Sequence, residues 1–553
     1  MPSGLREGIA DDMGIGLAMR EDRVGFALGA VLGIAALPFL VATLLPPANH
    51  DMAAILHFTQ RWLGGERLYV DLIDMNPPLI FILSMVPVVL SRILDTGVLA
   101  QAVLCVHALA AWSAVATWRL AAPRTGSRDL ARFLVPPLVL FLAAPLVGPS
   151  FGQREHLMTL AALPYLFMAA ARAEGRPVPR RQAVIATIVA TSGFCLKPYF
   201  LAIPALVELF VLARSGWTGD ARARPENLPL MVALGAAYAV LVATCFPAYL
   251  GEVVPLAARH YAAEICCATG KDSLGHFPVI ELLGLPGLRQ AALVALPAVL
   301  LGLRPGASAR VRIFALATIG ALAAGLVQRK GWEYHFIPFE GFLAALCVLL
   351  AADLLSRAFL VDGATRRSAG AGLAIVAIFA TGYAHVLATR NILAVVAAYE
   401  GSGRGRLVET IRGAAEGRPV LVLSPGILPF FPALNYARAG SPSPFMSMWL
   451  LQGAYRSCLA DGRRYREPAE MDAAEAMLFA RVVESFVRSR PAMVIVDRRA
   501  GIRDCGAPFD FIAYFERDPR FASELRAYRH SDAASDLHLD IYVRRDDRPA
   551  AGR

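Results

Sequence analysis

The sequence predicts a polytopic α-helical membrane protein of about eleven transmembrane helices, with an interfacial helix in its first outer loop and a small C-terminal α/β domain on the outer side. Three observations carry this reading: an apolar composition, apolar runs of spanning length, and basic residues segregated to alternate loops. Of 553 residues, 56% are hydrophobic and 18% charged, and the mean hydropathy is +0.51. Soluble domains lie nearer half apolar and a quarter charged, so the counting unit is the membrane span. The net charge of +10 sits in short clusters between apolar runs, where it sets orientation and gives no footprint for nucleic acid.

Apolar runs occupy roughly 24–45, 98–118, 133–148, 157–171, 183–196, 198–213, 228–250, 286–303, 313–327, 336–352 and 369–389. Acidic residues precede the first run and no small-residue cleavage site closes it, so it reads as a retained span. A twelfth run, 78–90, is decided by charge. If it does not cross, the inner segments hold 20 Arg and Lys residues and the outer ones 9. Letting it cross would put Arg119, Arg124, Arg128 and Arg132 outside, against the positive-inside rule. Residues 78–90 are therefore expected to lie on the outer face as an interfacial or re-entrant helix.

From about residue 390 the pattern turns soluble, giving expected domains of 1–389 in the membrane and 390–553 outside. Pro419–Ser424, Ala492–Asp497 and Leu537–Val543 read as strands, and Met471–Val487 as an amphipathic helix. Cys458 and Cys505 are the two cysteines of this outer region. An oxidising compartment permits their pairing, which is the expectation.

The first outer segment runs Asn49-His50-Asp51, then an amphipathic stretch with Met52, Ile55, Leu56, Trp62 and Leu63 on one face, then Gly64-Gly65-Glu66-Arg67-Leu68-Tyr69-Val70-Asp71 and Asn76-Pro77-Pro78. Helical spacing places Asp51 at the helix start and the apolar face on the membrane. Asp51 as N-cap and Gly64-Gly65 as helix stop is the alternative. The second outer loop places Arg154, Glu155 and His156 at a helix entrance, where a first-turn glutamate also suits the helix dipole. Lysine is rare, and Lys197, Lys271 and Lys330 all fall outside. Lys197-Pro198 separates two short apolar runs; an ammonium at membrane depth needs an anion or the interface. Two further outer clusters are Arg259-His260-Tyr261 with Glu264, and Arg329-Lys330-Gly331-Trp332-Glu333-Tyr334-His335, of types that also serve as interfacial anchors.

The first outer loop, opening on an acid and continuing through Gly-Gly, Leu-Tyr, Asp and Pro-Pro, resembles that of the C-type-fold polyprenyl-phosphate-sugar glycosyltransferases, the group of the protein O-mannosyltransferases and the lipid A aminoarabinose transferase. His50-Asp51-Met52 stands where many relatives carry two adjacent acids. The resemblance implies Asp51 as catalytic base, an interfacial helix after the prolines, and transfer with inversion from a polyprenyl-phosphate sugar to a glycan, lipid or protein acceptor. Glu155 would orient the acceptor or bind a divalent metal, and Lys197, Arg154 and Lys330 would hold the donor phosphate. Tyr69, Asp71, His156, His260, Tyr334 and His335 are candidate substrate contacts. The implied location is the bacterial inner membrane with the C-terminal domain periplasmic. Rival readings are a polysaccharide or lipid-linked sugar exporter, whose path charges would be Glu208, Arg289 and Glu340 within spans, and an O-antigen polymerase or ligase.

A periplasm-active reporter fused after Gly370 should be inactive and one fused after Arg390 active. Activity at both positions, or the reverse order, contradicts the eleven-span topology.

Overall fold

The computed structural model describes residues 26–27, 29–121, 131–215, 224–261, 286–328, 330, 332–360, 390–499, 501–531 and 535–545. Glu264, Arg329 and the run at 369–389 lie outside them. The chain forms two compact units. The first takes in Met1–Leu45, Val103–Tyr238 and Phe277–Leu393; the second takes in Pro46–Ala102, Ala239–His276 and Ala394–Arg553.

Among the described residues, four helices are long and apolar enough to cross a membrane: Val98–Leu120, Leu228–Cys245, Ala309–Val327 and Glu333–Leu354. Shorter apolar helices include Gly29–Ala42 and Ala131–Ala143. At the centre of the first unit is Arg154–Ala173, in which nearly every side chain is buried. It packs against Arg180–Phe194, Ala202–Ser215, Ala309–Val327 and the helix Ile337–Leu360. Close approach relies on small residues, as membrane helices require in the absence of a hydrophobic drive between them. A Cβ on Gly320 would come within 2.8 Å of the Ile203 Cα. Inside this bundle Arg172 donates to both Glu208 oxygens at 2.7 and 2.9 Å, and the Tyr165 hydroxyl donates to Oε1 at 2.7 Å. Glu208 is thereby neutralised within the protein, as a buried carboxylate must be.

In the second unit the C-terminal region builds a four-stranded sheet from β1 (Val420–Leu423), β2 (Met493–Asp497), β3 (Tyr528–Ser531) and β4 (Leu539–Arg544), in the order β1-β2-β4-β3. β1 and β2 are parallel; β2–β4 and β3–β4 are antiparallel. The Val-Leu-Val-Leu and Met-Val-Ile-Val runs are continuous because these two parallel-paired strands are buried along their length. The helix Ala473–Ser489 is capped by the Asp472 carboxylate, which accepts from the Glu475 N–H at 2.8 Å. It buries Leu478, Phe479, Val482, Val483 and Phe486 at helical spacing. Cys458 and Cys505 are joined by a disulfide, as expected. β3 was not anticipated: Tyr-Arg-His-Ser carries too little apolar alternation, being a sheet edge whose polar residues face out.

The first outer segment belongs to this same unit. Its helix, His50–Trp62, is where expected, but its apolar face is not turned to lipid. Met52, Ile55, Leu56 and Phe58 are buried, and the helix packs on Phe430–Tyr436 and on Pro78–Ile93. Periodicity reveals that a face is apolar, not what covers it. The join is also polar. The Tyr436 hydroxyl accepts from the Ala48 N–H at 2.8 Å, Asn435 Nδ2 donates to the Ala53 carbonyl at 3.1 Å, and Ile73 N–H donates to the Pro444 carbonyl at 2.8 Å. Pro78–Ile93 keeps Leu83, Val86, Val89 and Ile93 exposed.

His57 lies within this join, accepting from the Ser441 N–H at Nε2 over 3.2 Å. Burial, with the nearby Arg61 charge adding to it, lowers its pKa from 6.5 to about 4. Below pH 6.5 the unfolded chain takes up a proton that the folded chain refuses until about pH 4, so stability is full above 6.5 and falls as pH drops through this window. The expected loss is about 3 kcal/mol. Thermal unfolding of the detergent-solubilised protein should show this slope, and His57→Gln, which keeps an acceptor for Ser441, should flatten it.

Candidate functional site

In the first unit three chain segments converge. One is the turn Gly148–Ser150 leading into the helix Arg154–Ala173. A second is the break between Arg180–Phe194 and Ala202–Ser215, where Lys197 is held extended by the proline after it. The third is the short turn Glu333–Phe336 before Ile337–Leu360.

These segments bring together Arg154, Glu155, Lys197, Lys330, Tyr334 and His335. Lys197 Nζ donates to Glu155 Oε1 at 2.5 Å and to Gln328 Oε1 at 2.8 Å. It also stands 5.6 Å from the centre of the Tyr334 ring. Gln328 is oriented for this by its own amide, which donates to the Ala324 carbonyl at 3.1 Å. The Arg154, Lys197 and Lys330 charges all act on the His335 ring, which packs against Tyr334 and Trp332 at 4.5 and 5.4 Å between centroids. Arg154, Glu155, Lys197, Lys330 and His335 are all buried.

Several buried polar atoms in and beside this cluster have no hydrogen-bond partner among the described residues, among them Glu155 Oε2, His335 Nδ1, His156 Nε2 and both side-chain amide atoms of Gln153. Buried polar atoms are normally satisfied by protein or water, so these are places for a polar ligand to meet. The ammonium of Lys197 takes Glu155 Oε1, and among the described residues no three His, Cys, Asp or Glu side chains are grouped to hold a metal ion. His156 is committed to the loop itself: its Nδ1 accepts from the Gly152 N–H at 3.1 Å and its ring packs on Phe151.

The loop that delivers Arg154 and Glu155 is clamped from behind by a residue that sequence reasoning missed. Arg390 donates to Glu340 Oε2 and Oε1 at 2.6 and 3.1 Å and to the Leu146 carbonyl at 3.4 Å. Gly148, with φ of +48°, lies so close that a Cβ there would run into the Arg390 carbonyl oxygen. Glu340 is therefore one half of a structural ion pair, and no local signal joins it to a residue fifty positions on. Gln328 was missed too, since a glutamine at the end of a span looks like any boundary residue.

The remaining candidates lie in the second unit. Asp51 is in the first turn of His50–Trp62, with its side chain 14% exposed and its Oδ1 3.7 Å from His50 Nε2. It is not the N-cap; Asn49 is, accepting from the Met52 N–H at 3.1 Å. Tyr69 is buried, at φ +68°, and its hydroxyl donates to the Asn76 carbonyl at 2.6 Å. Its ring packs on Phe81, Phe246 and Tyr249. Asp71 is bound by Arg67 at 3.0 Å, which holds its carboxyl below the usual range. Both side chains are thus engaged in shaping the first outer loop. His260 is buried where the turn Ala257–Tyr261 meets Trp449–Ala454. Burial keeps its imidazole below the ordinary pKa, with Asp472 at 3.9 Å opposing.

No protein-family model matches the chain, and no curated protein matches it. Solved structures do. The chain is similar to the crystal structure of ArnT from Cupriavidus metallidurans bound to undecaprenyl phosphate, with a TM-score of 0.53 and 15% identity over 95% of this chain and 98% of that one. The apo structure of the same ArnT gives a TM-score of 0.53 and 15% identity over 93% and 97%. The chain has the ArnT fold. This likeness of fold agrees with the resemblance read in the first outer loop.

Replacing Arg390 alone with Met should cost about 3–5 kcal/mol by stranding the buried Glu340 carboxylate. Changing Glu340 to Met as well should recover most of that loss in thermal unfolding. A double variant as unstable as the single one would show that Arg390 acts otherwise than through Glu340.

Proposed function

We propose that this protein is an integral-membrane glycosyltransferase that moves a sugar from a polyprenyl-phosphate donor to a hydroxyl acceptor at the outer face of the bacterial inner membrane, with inversion. The observation that carries this reading is the buried cationic cluster of Arg154, Lys197 and Lys330, in a fold similar to one crystallised with undecaprenyl phosphate. A lipid phosphate keeps its chain in the bilayer and its charge at the surface, where Lys197 sits between two apolar helices. In this reading eleven spans put the C-terminal domain, residues 390–553, in the periplasm, and Pro78–Ile93 rests its exposed apolar face on the membrane.

The chemistry needs few groups. The acceptor oxygen attacks the anomeric carbon from the side opposite the phosphate, and Asp51 takes the proton of that hydroxyl. The bond from the anomeric carbon to the phosphate oxygen breaks, and its electron pair leaves on the phosphate. Arg154, Lys197 and Lys330 stabilise that growing charge from fixed positions in a water-poor site. Glu155 anchors the Lys197 ammonium by one oxygen and offers the other to the acceptor. His335 and Tyr334 line the phosphate site, and His260 is a substrate contact. Tyr69 and Asp71 act by holding the loop that carries the site. The exporter reading gains nothing from Glu208 and Glu340, each closed in a bidentate arginine pair.

Asp51→Asn leaves the Asn49 cap untouched, so expression and donor binding should persist while transfer falls by about 100-fold or more, as for loss of a general base. Near-normal transfer would remove Asp51 from the mechanism. Lys197→Met together with Glu155→Gln removes the ion pair without stranding a buried charge. Donor affinity should then fall about tenfold or more, the worth of a charged hydrogen bond. Unchanged affinity in a folded double variant would take Lys197 out of the donor site.

A further inference from the structure

A cavity of about 380 Å³ opens between the end of Val98–Leu120 and the start of Arg180–Phe194. This is within the roughly 300–1,000 Å³ of small-molecule sites. Trp112, Val115, Leu120 and Ile185 form its walls, and Arg119 and Arg181 stand at it. Both arginines are exposed, and neither is paired with a carboxylate among the described residues. The surrounding surface is apolar and open, with Val115, Trp118, Ile185 and Ile188 all exposed. Arg132 lies over the Trp118 ring at 4.8 Å, an indole held at the polar boundary beside a third guanidinium.

The position in the bundle is informative. Arg181 is in the first turn of the helix whose far end leads to Lys197, and thirteen residues of helix from Arg181 to Phe194 span about 20 Å. The cavity therefore opens at the end of that helix away from the cationic cluster described above. A ligand there is not the donor phosphate of that cluster.

We propose that this cavity binds an anionic phospholipid of the leaflet opposite the Lys197 cluster, with an acyl chain along Val115 and Ile185 and the headgroup phosphate between Arg119 and Arg181. Apolar walls open to hydrocarbon exclude a freely soluble anion as the natural occupant. Two guanidinium groups with no carboxylate partner among the described residues favour a net negative headgroup over a zwitterionic one, since each adds attraction to an anionic lipid and offers paired donors to phosphate. The site is independent of the transferase reading and needs no activity to be tested.

The test is native mass spectrometry of the full-length, delipidated protein titrated with phosphatidylglycerol and, separately, phosphatidylcholine. Wild-type protein should retain phosphatidylglycerol in preference to phosphatidylcholine. Arg119→Gln with Arg181→Gln should weaken phosphatidylglycerol retention roughly tenfold or more, and Arg119→Lys with Arg181→Lys should restore most of it. Ile185→Trp, which fills the cavity and leaves the charges, should weaken it as well. Millimolar inorganic phosphate should not displace the lipid. Equal retention by wild-type protein and the double Gln variant, no preference over phosphatidylcholine, or displacement by phosphate alone would each overturn the proposal. The variants carry exposed substitutions, and matched unfolding midpoints without lipid separate a lost site from a lost fold.

Discussion

Burying positive charge at the end of a helix bundle is the constraint on which the first unit depends. An unpaired ammonium or guanidinium away from water costs several kcal/mol, and Lys197 meets that cost with a carboxylate, an amide oxygen and an aromatic face. Each partner imposes structure. Glu155 must stand in the first turn of Arg154–Ala173, so the preceding loop has to be held. Arg390 holds it through Glu340 and Leu146, and Gly148 leaves room for the Arg390 backbone. Gln328 must end its span at the right height, and the break at Lys197-Pro198 keeps two half-length helices from fusing into one. The same arrangement that makes the charges tolerable fixes them in place, which is what stabilising a departing phosphate requires.

The second unit solves a different problem. A short amphipathic helix after the first span has an apolar face that lipid or protein can cover. Here protein covers it: Phe430–Tyr436 packs on His50–Trp62, and Ser441 closes on His57. The C-terminal region thereby holds the loop that carries Asp51, and a folded domain far along the sequence becomes part of the setting of a residue near the start. Tyr69 and Asp71 belong to the same construction, one by its hydroxyl on Asn76 and the other by its ion pair with Arg67.

Much of this was legible in the sequence because it rests on short-range regularities. Apolar run lengths marked several of the long helices, and continuous Val, Ile and Leu runs marked β1 and β2. The rarity of lysine drew attention to Lys197 and Lys330, and the order of residues after Asp51 pointed to the fold. What stayed hidden was long-range or polar. Arg390–Glu340 is a pairing across fifty residues, Gln328 has no signature of its own, and β3 lacks alternation because it lies at an edge. The side of His50–Trp62 that meets protein, and the cap at Asn49 one turn-start before the acid, are set by tertiary contacts that a local pattern does not contain.

The central claim is that the cluster of Arg154, Lys197 and Lys330 recognises the phosphate of a polyprenyl lipid. The direct measurement is equilibrium binding of undecaprenyl phosphate and of undecaprenol, its uncharged counterpart, to the purified protein in the same detergent. The account predicts binding that depends on the phosphate, with the alcohol at least tenfold weaker. Equal affinity for the two would show that the lipid chain alone is bound, and would contradict it.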